Sequence, residues 1–178
     1  SSPLSGLAAS IDEIDSTAHR DDTVAAGGDA TDKVAAARFC GEAVSVLAEL
    51  ERWGLVLRRR EGGLPHASEA PGHSRARLTG CGDSTAREVT RILEEQAIKR
   101  GVPRRSDLVP LSLVMDNQQV RGVVVFDLMT GEIASIQSKA VILATEGHQG
   151  IWSAPSNGSG TGAALAAAAG VDLTGMIH

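Results

Sequence analysis

Two short stretches of this chain carry residue types suited to holding a ligand. The first is Ala144-Thr145-Glu146-Gly147, which closes the apolar run Ala140-Val141-Ile142-Leu143. The second is Asn157-Gly158-Ser159-Gly160-Thr161-Gly162, which opens an alanine-rich segment. Small residues at the end of a strand let a bulky group approach the backbone. Free amides at a helix start favour an anion by about 0.3–1 kcal/mol. A strand end and a helix start in series point to a nucleotide-type ligand at the carboxyl end of a sheet. Each has a plainer alternative, a strand ending in a loop and a flexible glycine–serine linker.

Other chemistries find little support. The dinucleotide fingerprint Gly-x-Gly-x-x-Gly is absent, and Gly158-x-Gly160-x-Gly162 has a different spacing. Chain order assembles no Ser/His/Asp triad. His19, His66, His73, His148 and His178 form no metal-spaced pair, so no metal site is expected. Cys40 and Cys81 stand alone, which suits a reducing compartment. Cys40 reads as a core residue and Glu94-Glu95 as a solvated helix face. No catalytic acid, base or nucleophile is assigned.

Composition narrows the class further. Aromatic residues make up 2% of the chain, with no tyrosine, so alanine, valine and leucine must fill the core. That scarcity and a net charge of −5 argue against nucleic-acid binding. Basic runs such as Arg58-Arg59-Arg60 read as solvated turns. No apolar run is long enough to span a bilayer.

The elements that must position the two stretches follow from periodicity. Residues 1–30 show little of it. Ser5 to Ser10 reads as a tight turn with a short helix start, and Asp21 to Asp29 as a loop. A helix is predicted over 32–53, with Thr31 or Asp32 as its cap. Val34, Ala37, Cys40, Val44, Leu47 and Leu50 form its apolar face, and Gly54 ends it. Residues 57–80 read as a long loop. A second helix is predicted over 84–100, with Thr85 and Glu88 as a capping box and Ala86, Val89, Leu93 and Ala97 on its inner face. Three strands joined by turns follow, Leu108–Met115, Gln119–Phe126 and Glu132–Gln137, an antiparallel meander over 108–137. A buried strand at 140–144, the glycine-rich turn and a helix from Gly162 to Ala169 complete the section 140–170.

The order of these pieces resembles the flavoprotein subunit family of succinate dehydrogenase and fumarate reductase, which includes L-aspartate oxidase. Ser5-Gly6-Leu7-Ala8-Ala9 resembles the family's Gly-Gly-Ile-x-Ala turn, and Asp22-Thr23-Val24 with Gly27-Gly28-Asp29 its Asp-Thr-x-x-Gly-x-Asp loop. Leu50-Glu51-Arg52-Trp53-Gly54, Gly72-His73-Ser74-Arg75 and Asp83-Ser84-Thr85-Ala86 resemble later motifs. Val120 to Val123 and Thr130-Gly131-Glu132 resemble its meander. Ala140 to Gly147 is similar to Ala-x-x-x-Ala-Thr-Gly-Gly, and Asn157 to Gly162 to Asn-x-x-x-Thr-Gly-Asp-Gly. The chain departs from the pattern at Leu4, at Glu146 where the family has glycine, and at Thr161 where it has aspartate.

The resemblance implies an α/β fold: residues 1–178 as part of a Rossmann-like FAD-binding domain with an antiparallel meander. The first fingerprint strand and the capping domain are expected outside this section. It implies FAD as cofactor. By this resemblance Ser5 and Gly6 lie near the flavin ring and Val109 and Pro110 near adenine. Ala144, Thr145, Glu146, Gly147, Ser159, Gly160, Thr161 and Gly162 surround the remainder. It implies hydride exchange with a small dicarboxylate such as succinate or fumarate, and an iron–sulfur partner subunit. The expected location is cytoplasmic, or peripheral on the cytoplasmic face of the membrane. Aspartate oxidation and a flavin-free paralogue acting as a binding module stay open as alternatives, the latter prompted by Glu146 and Thr161.

Overall fold

A computed structural model describes residues 6–11, 13–145, 147 and 158–173. The chain divides into two compact units, Ser2–Val102 and Pro103–His178.

In the first unit, β1 (Leu7–Ala8) pairs antiparallel with β2 (Leu78–Thr79). Between them lie α1 (Glu13–Gly27) and α2 (Lys33–Arg52), with α3 (Thr85–Lys99) following β2. Within the turn expected over Ser5 to Ser10 lies β1, and the loop expected over Asp21 to Asp29 is the end of α1 followed by a 3-10 turn at Gly28–Ala30. The reason is visible in α1 itself: its buried positions Asp15 and His19 are four apart and polar, so hydrophobic periodicity cannot register them.

Asp32 caps α2: its Oδ1 accepts from the amides of Val34 (2.9 Å) and Ala35 (3.0 Å). Asp32→Ala should therefore lower stability by about 1 kcal/mol, read from the urea midpoint at unchanged m-value. Ala36, Cys40, Leu47 and Leu50 are the buried face of α2. Val34 and Val44, expected on that face, are exposed. On α3 the buried apolar residue is Ile92, not its neighbour Leu93. Thr85 does not form the expected capping box. Its hydroxyl donates to the Gly82 carbonyl (2.6 Å) and accepts from the Cys81 amide (2.9 Å), tying down the turn before the helix.

Ala9, Leu47, Leu50, Leu55, Leu57 and Ile92 form the core, with Leu7, Ala43, Trp53, Cys81 and Val89 against it. The stretch 57–80, expected as a loop, is structured by the bridges Arg59–Pro65 and Ser68–Leu78 and by β2.

The second unit is built on an antiparallel sheet of β3 (Leu108–Asp116), β4 (Gln119–Asp127) and β5 (Ile133–Gln137). The β3–β4 turn holds Asn117 and Gln118 at φ of 46° and 65°, the geometry that matches strand twist. Helix α4 (Thr161–Ala168) buries Gly162, Leu165 and Ala166. The strand expected at 140–144 does not form. A strand exists only as a hydrogen-bonded ladder, and among the described residues nothing pairs with it. The Ser138 amide still reaches the Arg121 carbonyl (2.9 Å). Beyond it the chain leaves the sheet, and Ile142 is 91% exposed.

Candidate functional site

In the second unit the two ligand-type stretches meet. The Gly160 amide donates to the Gly147 carbonyl (3.1 Å), joining the strand-end turn to the helix start. Gly160 has φ 79°, the left-handed region that turns the chain into α4. Gly162 is buried against the Thr145 hydroxyl, and a Cβ at position 162 would overlap it. The Ser159 and Thr161 hydroxyls lie 2.8 Å apart.

Pro110 and Leu111 of β3, with Ser159, Gly160, Thr161 and residues of α4, line a cavity of about 440 Å³. Two hydroxyls and a helix amino terminus face apolar side chains there, and among the described residues the lining carries no carboxylate. This donor set suits a group that joins an anionic diphosphate to a flat apolar ring system.

Of the residues expected at the cofactor, Pro110, Thr145, Gly147, Ser159, Gly160, Thr161 and Gly162 come together. Val109 pairs with Phe126 in the sheet and does not line the cavity. Ala144 is exposed and does not line it either. Ser5 and Glu146 lie outside the described residues. Gly6 belongs to the first unit. There it lines an apolar cavity of about 370 Å³ with Leu7, Ala8, Ala9 and the Phe39–Leu50 face of α2.

The first unit also holds a polar cluster that motif reading missed. Arg77, just before β2, has a fully buried guanidinium (side chain 0% exposed). Its Nε and Nη2 donate to Asp15 Oδ1 at 3.2 and 2.9 Å. Its Nη1 donates to Asp22 Oδ2 (2.6 Å) and to His73 Nδ1 (2.8 Å). Because an arginine only donates, His73 Nδ1 must accept, which places the ring proton on Nε2. Asp22 Oδ2 also accepts from the Ser74 amide (2.8 Å) and hydroxyl (2.9 Å). Nearby, His19 Nδ1 bonds the Ser10 hydroxyl (3.2 Å). The spacing Asp15-His19-Asp22, on one face of a helix, was the available sequence signal.

The Ser74 amide, and then the Arg77 guanidinium, hold the Asp22 carboxyl down at about 2, against an ordinary 3.8. Burial, then Arg77 and His73, push His19 below its ordinary 6.5. Both shifts make the unfolded chain the stronger proton binder, so acid should destabilise the fold in two stages. The neutral His19 is a growing penalty as pH falls below 6.5. Stability from ionised Asp22 is present above 3.8 and lost as pH falls towards about 2. Urea midpoints measured against pH should show both stages, with His19→Gln flattening the first and Asp22→Asn the second.

Cys40 is buried, its Sγ 3.4 Å from the Thr23 hydroxyl. Burial pushes the Cys81 thiol up, and its Sγ donates to the Val56 carbonyl (3.1 Å). Among the described residues no group of His, Cys, Asp and Glu is placed to hold a metal.

The family pattern described as FAD binding domain matches residues 3–178. The chain belongs to the FAD binding domain family. Its cofactor is FAD. The chain is 35% identical over 157 residues to the 8-methylmenaquinol:fumarate reductase flavoprotein subunit of Wolinella succinogenes, covering 86% of this chain and 26% of that one. It is 32% identical to the L-aspartate oxidase of Mesorhizobium japonicum, covering 96% of this chain and 34% of that one. Among solved structures, Mycobacterium smegmatis Sdh1 superposes with a TM-score of 0.79 at 26% identity, covering 92% of this chain and 31% of that chain. This FAD binding domain chain therefore spans about a quarter to a third of these relatives. Its mixed helix–strand architecture with antiparallel sheets is that of the FAD-binding fold. Among the described residues no helix is long and apolar enough to cross a membrane.

Proposed function

We propose that this chain is the FAD-holding section of an oxidoreductase that exchanges hydride with a small dicarboxylate of the succinate or fumarate type. The observation that carries the reading is its relation to fumarate reductase flavoprotein subunits, together with a cavity lined by the Ser159 and Thr161 hydroxyls and the start of α4. Bound FAD supplies the hydride exchange, and the protein supplies placement and electrostatics.

In this reading the amides at the start of α4 and the hydroxyls of Ser159 and Thr161 hold the anionic part of the cofactor. Pro110 flanks its adenine, with Val109 its neighbour in β3. Ala144, Thr145, Glu146 and Gly147 border the same region, and Ser5 and Gly6 lie at the ring. Thr79, opposite Leu7 in the β1–β2 pairing next to Gly6, keeps a buried hydroxyl with no partner among the described residues, spare bonding capacity beside that strand. An iron–sulfur subunit is the proposed redox partner, and the cytoplasm or the cytoplasmic face of a membrane the proposed location.

A second reading, oxidation of L-aspartate, is favoured by the 32% identity to an aspartate oxidase over nearly the whole chain. The full-length protein, purified without added cofactor, should show the visible absorption bands of flavin. Anaerobic bleaching of those bands by succinate supports the dicarboxylate reading, and bleaching by aspartate alone supports the second. A protein that stays colourless with added FAD overturns both and leaves a flavin-free binding module, with Glu146 and Thr161 as the first positions to revert.

A further inference from the structure

The strand that carries Gly6 is held in place from two sides, and Arg77 takes part in both. Its carbonyl accepts the Ala9 amide (3.2 Å), extending the β1–β2 pairing of Leu7 with Thr79 and Ala8 with Leu78. Its guanidinium reaches the opposite way, onto Asp15 and Asp22. Those two carboxylates are two helical turns apart on α1, so one rigid fork spans the face of that helix. Asp22 passes the connection on to Ser74, and Nη1 also holds His73, which fastens the 72–77 segment to the same point. A second tether runs from the end of the strand itself, where the buried Ser10 hydroxyl meets His19 of α1.

We propose that Arg77 is a positioning residue for the flavin. By clamping β1 and β2 to α1 it sets where Gly6 and its neighbours meet the ring. This rests on the reading of Gly6 as a ring neighbour given above. Arg77 touches neither cofactor nor substrate in this role. Its planar fork makes bonds in several fixed directions at once, whereas lysine offers one compact charge and cannot hold both carboxylates and His73 together. A shift of this strand by a fraction of an ångström changes the ring's environment without unfolding the domain, because bound groups depend steeply on the partners that orient them.

The test uses the full-length protein, titrated with FAD and read by flavin fluorescence and visible circular dichroism. Measurements are made at a temperature where far-ultraviolet circular dichroism shows each variant folded. Arg77→Lys should weaken FAD binding about tenfold and alter the flavin dichroism. Asp22→Asn should move both in the same direction by a smaller factor. Asp32→Ala, which weakens only a helix cap, should leave both as in the wild type. A folded Arg77→Lys protein with wild-type affinity and wild-type dichroism overturns the proposal. If that variant does not fold, Asp22→Asn decides on the same two readouts, and unchanged values overturn it. A wild-type protein that takes up no FAD removes the flavin reading and this proposal with it, whereas a flavin-loaded wild type with unaltered variants removes the positioning role alone.

Discussion

Arg77→Met should destabilise the protein by about 3–5 kcal/mol, measured by urea unfolding of the full chain near neutral pH. Methionine fills much of the same space, so the loss is electrostatic and not a cavity. The wild-type guanidinium is wholly buried and satisfied by two carboxylates and an imidazole nitrogen. Removing it takes from the Asp15 carboxylate, 9% exposed, its ion pair with Arg77. Breaking a buried ion pair costs more than replacing both partners, because the carboxylate's desolvation penalty stays when the attraction to the guanidinium is gone.

The double variant Arg77→Met with Asp15→Leu should therefore recover a substantial part of the loss, since it replaces a broken pair with apolar side chains. If the double variant is as unstable as the sum of the two single variants, Asp15 and Arg77 are not coupled and the electrostatic account is wrong. Arg77→Lys should fall between wild type and methionine, keeping the charge but not the fork.

Gly6→Val should cost about 1–3 kcal/mol through overpacking and lower FAD occupancy in parallel. An ideal Cβ at position 6 would lie 2.6 Å from Leu78 Cγ and 2.9 Å from the Thr79 carbonyl oxygen. The β1–β2 pairing itself thus demands glycine there, before any ligand is considered. Leu78→Ala in the same chain relieves the side-chain contact but not the backbone one, so stability should return only in part. Should Gly6→Val unfold at the wild-type urea concentration and merely lose FAD, the glycine would be serving the ligand and not the strand pairing.

How much of this was legible before folding depends on what kind of signal each residue emits. The meander announced itself through short apolar strands separated by Asp116-Asn117 and Thr130-Gly131, because turn chemistry is local. Helix α2 was readable from its cap and its period: Cys40, Leu47 and Leu50 are buried as expected, whereas Ala36 is buried in place of Val34, Ala37 and Val44. The order of motifs sufficed to place the chain among FAD-binding flavoproteins.

Three features were decided only in three dimensions. Helix α1 buries aspartate and histidine, a face that looks solvent-exposed until an arginine 62 positions from Asp15 arrives to neutralise it. The apolar run 140–144 has strand composition, yet pairing is a property of neighbours, and among the described residues it has none. Val109 and Pro110 are adjacent in sequence, but in the sheet only Pro110 borders the cavity with the start of α4. Local propensity and spacing are written into the chain itself. The partner that neutralises a buried charge, the strand that completes a ladder, and the face of a sheet that meets a helix are long-range properties, fixed only when distant segments pack together.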